Sequence, residues 1–239
     1  MSGAAASAGA PVLFLHADAE AWEEAAEADI VFALERALAE RGEARLLLSG
    51  GTTPAPVYRQ LARAPIDWGR ISVGLVDERW LPKDDPASNA RLVRESLLEE
   101  GAMGARFDPM KLPPDTIEDS VREANRHPVQ DAVVVLGMGE DGHIASLFPH
   151  APGLHAALAT PEDYAAIDAG ESPVAQPWRQ RISLTPAGLA RAGARILLLR
   201  GERKRAVLLR ALEGEIAQEL PVRAAFALPG APLRIHWAP

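Results

Sequence analysis

Short apolar runs that recur between helical repeats restrict this chain more than any other feature. Residues 12–15, 45–48, 71–76, 132–136, 182–184 and 196–199 have the length and character of strands. Between the first two, Ala26, Ile30, Leu34, Ala37 and Leu38 repeat at helical spacing and Gly42 supplies a stop. Further helices are predicted over 54–64, 87–100, 116–125, 187–192 and 202–212. The tail, 232–237, reads as an edge strand. Two stretches, 107–114 and 160–179, read as irregular, either lids or surface loops. The run 132–136 is continuously apolar and β-branched, as a strand covered on both faces should be. Alternation of this kind predicts an α/β fold with a mostly parallel sheet and helices on both faces. It forms one domain over 11–239, behind a flexible Ala/Gly/Ser-rich start at 1–10.

Bulk properties narrow the chemistry. A chain of 239 residues buries a full core without staples, and this one has no cysteine. Disulfides, thiolate catalysis and cysteine metal sites are all removed together. The start lacks a basic segment and no stretch approaches the ~18 apolar residues of a membrane span, so the protein is expected in the cytoplasm. A net charge of -8 argues against a nucleic-acid surface. An anionic small substrate would need a local cationic pocket in an acidic protein. A monomer and a small homo-oligomer both remain open.

In open parallel sheets ligands bind at the carboxyl ends of the strands, and the unusual sequence lies there. Ser49-Gly50-Gly51-Thr52-Thr53-Pro54 follows one strand and opens a helix, with Thr53 a plausible N-cap and Pro54 suited to the first helical position. Amides freed by glycine, hydroxyls and a helix start together suit an anion; a tight, ordinarily capped turn explains the motif equally. It is neither a Walker A loop nor a dinucleotide fingerprint. Asp77-Glu78-Arg79-Trp80-Leu81-Pro82 follows another strand. Alone it reads as a solvated loop with a local Asp–Arg pair, and Ser88 or Asn89 beyond it as a helix start. In Gly137-Met138-Gly139-Glu140-Asp141-Gly142-His143, a histidine beside a carboxylate within a glycine turn suits a general base. Gly201-Glu202-Arg203-Lys204-Arg205 sets three cations in a first helical turn, where each costs ~0.3–1 kcal/mol when exposed unless an anion binds. Lys204 is the best candidate to hold such an anion, and Arg181 is a further cation near the pocket.

The first three of these, Ser49-Gly50-Gly51-Thr52-Thr53-Pro54, Asp77-Glu78-Arg79 and Gly137-Met138-Gly139-Glu140-Asp141-Gly142-His143, resemble the signatures of 6-phosphogluconolactonases, which share a superfamily with glucosamine-6-phosphate deaminases, and Lys204 and Arg181 match more loosely. The resemblance spans nearly the whole chain. Arg79 after Asp-Glu, and Ala145-Ser146-Leu147-Phe148-Pro149 after the histidine, are similar to the lactonase branch. Thr52 stands where serine is common and keeps a hydroxyl; Leu81 stands where valine is common. The resemblance implies a Rossmann-like fold and hydrolysis of 6-phosphoglucono-1,5-lactone in the pentose phosphate pathway, without cofactor or metal. It implies His143 as the base, Gly50, Gly51, Thr52, Thr53 and Lys204 around phosphate, and Asp77, Arg79 and Arg181 near sugar or phosphate. Asp141 would orient the imidazole or a sugar hydroxyl, and Arg79 or loop amides would meet the oxyanion. Three alternatives stand beside this reading. They are an amino-sugar-phosphate deaminase with Asp77 as base, a non-catalytic sugar-phosphate sensor, and metal hydrolysis through Asp77, Glu78, Asp141 and His143.

Overall fold

A computed structural model describes residues 9–82, 85–110 and 116–239. All but the last two residues of the stretch expected to be flexible, and positions 111–114 of the irregular stretch, lie outside the described residues. Among the described residues ten strands form: β1 (Val12–Leu15), β2 (Ala44–Leu48), β3 (Ile71–Leu75), β4 (Asp77–Arg79), β5 (Arg106–Phe107), β6 (Val133–Gly137), β7 (Tyr164–Asp168), β8 (Gln180–Leu184), β9 (Ala194–Arg200) and β10 (Leu233–Ala238). The helices are α1 (Ala19–Arg41), α2 (Ala55–Leu61), α3 (Asn89–Val93), α4 (Ile117–Ala124), α5 (Leu154–Ala159), α6 (Pro186–Arg191) and α7 (Glu202–Leu212).

Seven strands pair in the order β1-β10-β9-β6-β2-β3-β5, all parallel. The period-2 alternation of side chains splits the core in two. Leu46 and Leu48 of β2 face one side, with Trp22, Ile30 and Leu34 of α1 and Tyr58 and Leu61 of α2. Leu47 faces the other, with Leu189 of α6 and Leu208 of α7. Each such side chain contributes roughly 1.5–3 kcal/mol when fully buried, so both helical layers are needed to cover the sheet. The first helix runs longer than its apolar repeat: Asp18 Oδ1 accepts from the Ala21 N–H at 2.9 Å, and Gly42 ends it as expected. The helix expected over 87–100 is α3 continued by a π-helical turn, Arg94–Leu98.

Two expectations change. The tail is no edge: β10 lies between β1 and β9, and β1 is the edge strand. Its polar residues read as exposed because their partners are distant in sequence. His236 is buried against Asp29, and Trp237 Nε1 donates to the Gly201 carbonyl at 3.1 Å. The strand expected at 182–184 forms as β8, but in a second, antiparallel sheet ordered β4-β8-β7. Much of 160–179 is therefore β7 and a 3-10 turn at Pro173–Ala175, not free loop.

Chain connections leave β2 toward β3 and β5, and leave β6 the opposite way toward β9 and β10, although β2 and β6 are neighbours. Strand order reverses between them, so the crevice above their carboxyl ends is the topological switch point where such sheets bind ligands.

Candidate active site

Both loops at the switch point are glycine-rich. After β2, the Ser49 N–H donates to the Val135 carbonyl at 3.1 Å, and the Tyr58 hydroxyl donates to the Ser49 carbonyl at 2.9 Å. Gly50 to Thr53 then turn above the sheet. Thr53 does not cap α2, which starts without a side-chain cap; instead its Oγ1 accepts from Lys204 Nζ at 3.3 Å. The hydroxyl is drawn to a cation across the crevice, a contact no local pattern reports.

After β6 the chain closes a tight turn, with Gly139 N–H donating to the His143 carbonyl at 2.9 Å. A Cβ at Gly139 would stand 2.2 Å from His143 Nδ1 and 2.4 Å from Asp141 Oδ1, so only glycine lets this pair close. His143 Nδ1 lies 2.6 Å from Asp141 Oδ1, and the same oxygen accepts the His143 backbone N–H at 3.2 Å. The imidazole leans on Phe148, ring centroids 4.7 Å apart. Burial pushes the Asp141 carboxyl up, but the hydrogen bond and charge of His143 and the backbone N–H bonds outweigh it and leave it below the ordinary carboxylate value. An ionised Asp141 holds the proton on Nδ1 and leaves Nε2 as the free imidazole nitrogen.

The second sheet supplies two of the cations, Arg79 and Arg181. Asp77 is buried, and both carboxylate oxygens are engaged: Ser146 Oγ donates to Oδ2 at 2.6 Å and Asn89 Nδ2 to Oδ1 at 3.4 Å. Arg79 donates through Nη1 to the Ala87 carbonyl. The local Asp77–Arg79 pairing considered from sequence is thus replaced by longer-range partners. Across from them in β8, Arg181 donates to the Trp178 and Ala175 carbonyls at 2.6 and 3.0 Å and lies 5.4 Å from the Phe148 ring centroid. Burial lowers its guanidinium to about 10. Glu78 points away, into α3, accepting from the Ser88 hydroxyl and the Arg79, Asn89 and Ala90 N–H groups at 2.8–2.9 Å. Burial raises its carboxyl and these four bonds offset part of the rise. Turned so, Glu78 is a structural cap and cannot join Asp77, Asp141 and His143 round one metal.

The three cations opening α7 separate. Arg203 pairs with Glu140 at 3.6 Å; Arg205 pairs with Glu202 at 3.5 Å and lies 4.5 Å from the Trp237 ring centroid. Lys204 turns to the crevice, where burial lowers its ammonium and Glu140 pulls it partly back. A cavity of about 260 Å³ then joins the elements. Gly50, Gly51, Thr52, Thr53, Asp77, Arg79, His143, Arg181 and Lys204 line it; Asp141 stands behind His143 instead. Asn89, Phe148 and Val174 also line it. Asn89 looked in sequence like a helix start, a role its neighbour Ser88 takes by accepting the Arg91 N–H. Val174 sits in the 3-10 turn Pro173–Ala175, which gave no signal in the sequence.

A doubly wound sheet, with an oriented imidazole and a cation-lined glycine turn meeting at its switch point, defines a Rossmann-like α/β enzyme. The chain belongs to the glucosamine-6-phosphate isomerase/6-phosphogluconolactonase family, whose model matches residues 17–236. It is 48% identical over 219 residues to the 6-phosphogluconolactonase of Xylella fastidiosa strain Temecula1, covering 90% of this chain and 91% of that one. It is 40% identical over 230 residues to the 6-phosphogluconolactonase of Pseudomonas aeruginosa, covering 92% and 94%. The crystal structure of a 6-phosphogluconolactonase from Shewanella baltica matches with a TM-score of 0.89 at 33% identity, covering 98% of this chain and 100% of that one.

Proposed function

We propose that this chain hydrolyses 6-phospho-D-glucono-1,5-lactone to 6-phospho-D-gluconate in the oxidative pentose phosphate pathway, with His143 as the group that activates water. One observation carries the reading: an imidazole fixed through Nδ1 by Asp141 opens on the same cavity as the Gly50–Thr53 turn and Lys204. The acidic chain thereby presents the local cationic pocket that an anionic substrate requires.

In this mechanism the phosphate lies among the Gly51 and Thr52 amides, the Thr53 hydroxyl and Lys204. Its binding energy orients the lactone carbon over His143. Nε2 takes a proton as water attacks C1, and Arg79 or the loop amides stabilise the tetrahedral oxyanion. The C1–O5 bond then breaks, and His143 returns the proton to O5. Asp141 keeps its charge throughout and favours the imidazolium that forms between the two steps. Asp77, with both oxygens engaged, is a fixed acceptor rather than a free base, which weighs against the amino-sugar reading. The reaction belongs to the cytoplasm in the same proposal; among the described residues no helix is long and apolar enough to cross a membrane. Acid release from the phosphorylated lactone, corrected for spontaneous hydrolysis, tests the assignment. Ammonia release from an amino-sugar phosphate without acid release would overturn it.

A further inference from the structure

The 3-10 turn Pro173–Ala175 presents one side chain to the cavity, and that side chain is apolar. Pro54, Met138, Ala145 and Phe148 also line the cavity but are buried in its wall, whereas Val174 is 57% exposed. The chain around Val174 is fixed. The Ala175 N–H donates to the Ser172 carbonyl at 3.1 Å, the Ser172 N–H donates to the Ala169 carbonyl at 3.2 Å, and Ala175 itself is fully buried. Arg181 adds the long-range hold, its Nε and Nη2 donating to the Trp178 and Ala175 carbonyls. Burial and a like charge both disfavour a cation at position 181, which stands directly opposite Arg79 across β4 and β8. A lysine would offer an anion the same charge. What the guanidinium alone supplies is a planar fork that meets two carbonyls at once.

We propose that Val174 is a specificity-determining wall that packs on the carbon–hydrogen face of the phosphorylated lactone, and that Arg181 is the positioning residue that holds this wall in place. A sugar ring carries hydroxyls at its rim and C–H bonds on its faces, so a site for it needs apolar surface as well as donors and acceptors. Val174 supplies that surface in a cavity otherwise edged by a glycine turn, hydroxyls and charges. When the cavity fills, the exposed part of Val174 leaves water, which favours the complex. Inorganic phosphate, held by the glycine turn and Lys204, is too small to reach the wall. The assignment rests on the sugar-phosphate reading and adds to it a determinant of which carbon skeleton is accepted.

The test measures KM for the phosphorylated lactone and the Ki of inorganic phosphate as an inhibitor, in wild type, Val174→Ala, Arg181→Lys and the double variant. Val174→Ala should raise KM about fourfold, the worth of roughly one methylene group taken out of water. Its kcat should stay within a fewfold and its phosphate Ki should not change. Arg181→Lys keeps the charge but releases the two carbonyls, and should raise KM about tenfold. In the double variant Val174→Ala should add less than about twofold to that KM, because a wall no longer held has little left to lose, whereas independent effects would multiply. Multiplied effects overturn Arg181 as the positioning residue, as does an Arg181→Lys chain that does not fold. Val174 is more than half exposed, so Val174→Ala folds and decides the wall in either case. A KM unchanged in Val174→Ala, or a phosphate Ki raised as much as KM, overturns the wall and leaves lactone hydrolysis standing. A wild type that hydrolyses no phosphorylated lactone overturns both.

Discussion

Two of this molecule's imidazole–carboxylate pairs have opposite surroundings. His143 meets Asp141 at 2.6 Å with the two side chains 24% and 29% exposed; His236 meets Asp29 at 2.9 Å with 3% and 4% exposed. The second pair is fully engaged. His236 Nε2 faces Asp29, Nδ1 lies 3.1 Å from His16 Nε2, and Phe14 stacks on the ring at 4.9 Å. Arg234 approaches the other Asp29 oxygen at 2.7 Å. No nitrogen of His236 is left for chemistry, so this cluster ties α1, β10 and the residue after β1 together. His143 keeps one nitrogen open on a cavity that cations share. The pairing itself does not make a base; an unoccupied nitrogen facing a substrate-sized space does.

Replacing each histidine sharpens that contrast most. His143→Ala should lower kcat by about 10³-fold, some 4 kcal/mol of barrier, with an unchanged melting temperature. Residual activity near wild type would return both pairs to the same structural class. His236→Ala should do the reverse. It takes one of two partners from buried Asp29, which keeps Arg234, and should cost about 2 kcal/mol of unfolding free energy, the worth of a hydrogen bond to a charged group, with kcat/KM per folded molecule unchanged. Urea titration with parallel kinetics reads both quantities, and a catalytic defect in folded His236→Ala would break the division.

The pocket's own halves separate by a smaller effect. Lys204 touches Thr53 of the glycine turn rather than the His143–Asp141 pair. Lys204→Ala should raise KM for the phosphorylated lactone by about 10–100-fold, the worth of one charge-assisted hydrogen bond, with kcat within a fewfold. An equal loss on an unphosphorylated lactone would remove Lys204 from phosphate binding.

The two pairs also differ in how far sequence could reveal them. Asp141 and His143 are two residues apart inside a glycine turn, so their meeting is local and legible. Asp29 and His236 are separated by 207 positions and came together only when β10 entered the sheet interior. The same rule divides the rest. The glycine turns, Lys204 and the parallel sheet follow from local pattern. The second sheet did not, because β4 is three charged residues and β7 is partly alanine, neither with a strand's apolar character. Asn89 acquires its place from Asp77 and Gly50, contacts that exist only after folding.

The smallest expected effect probes the outer end of the buried cluster. Burial, and then the neighbouring His236, hold the His16 imidazole below its ordinary value of 6.5. The folded protein therefore resists a proton that the unfolded chain accepts. Between the unfolded value and the lowered folded one, the unfolded state binds more protons, so stability falls as pH drops through that window and is fully present above it. His16→Gln keeps an N–H aimed at His236 Nδ1 but has no such titration. Between pH 7.5 and 5.5, wild type should lose more urea resistance than His16→Gln, and the two curves should meet above pH 7.5. His16 is partly exposed, so water weakens the effect, and the difference between the variants is the quantity to read. Equal losses would mean that the acid sensitivity of this fold lies elsewhere and that His16 packs against the cluster without reporting on it.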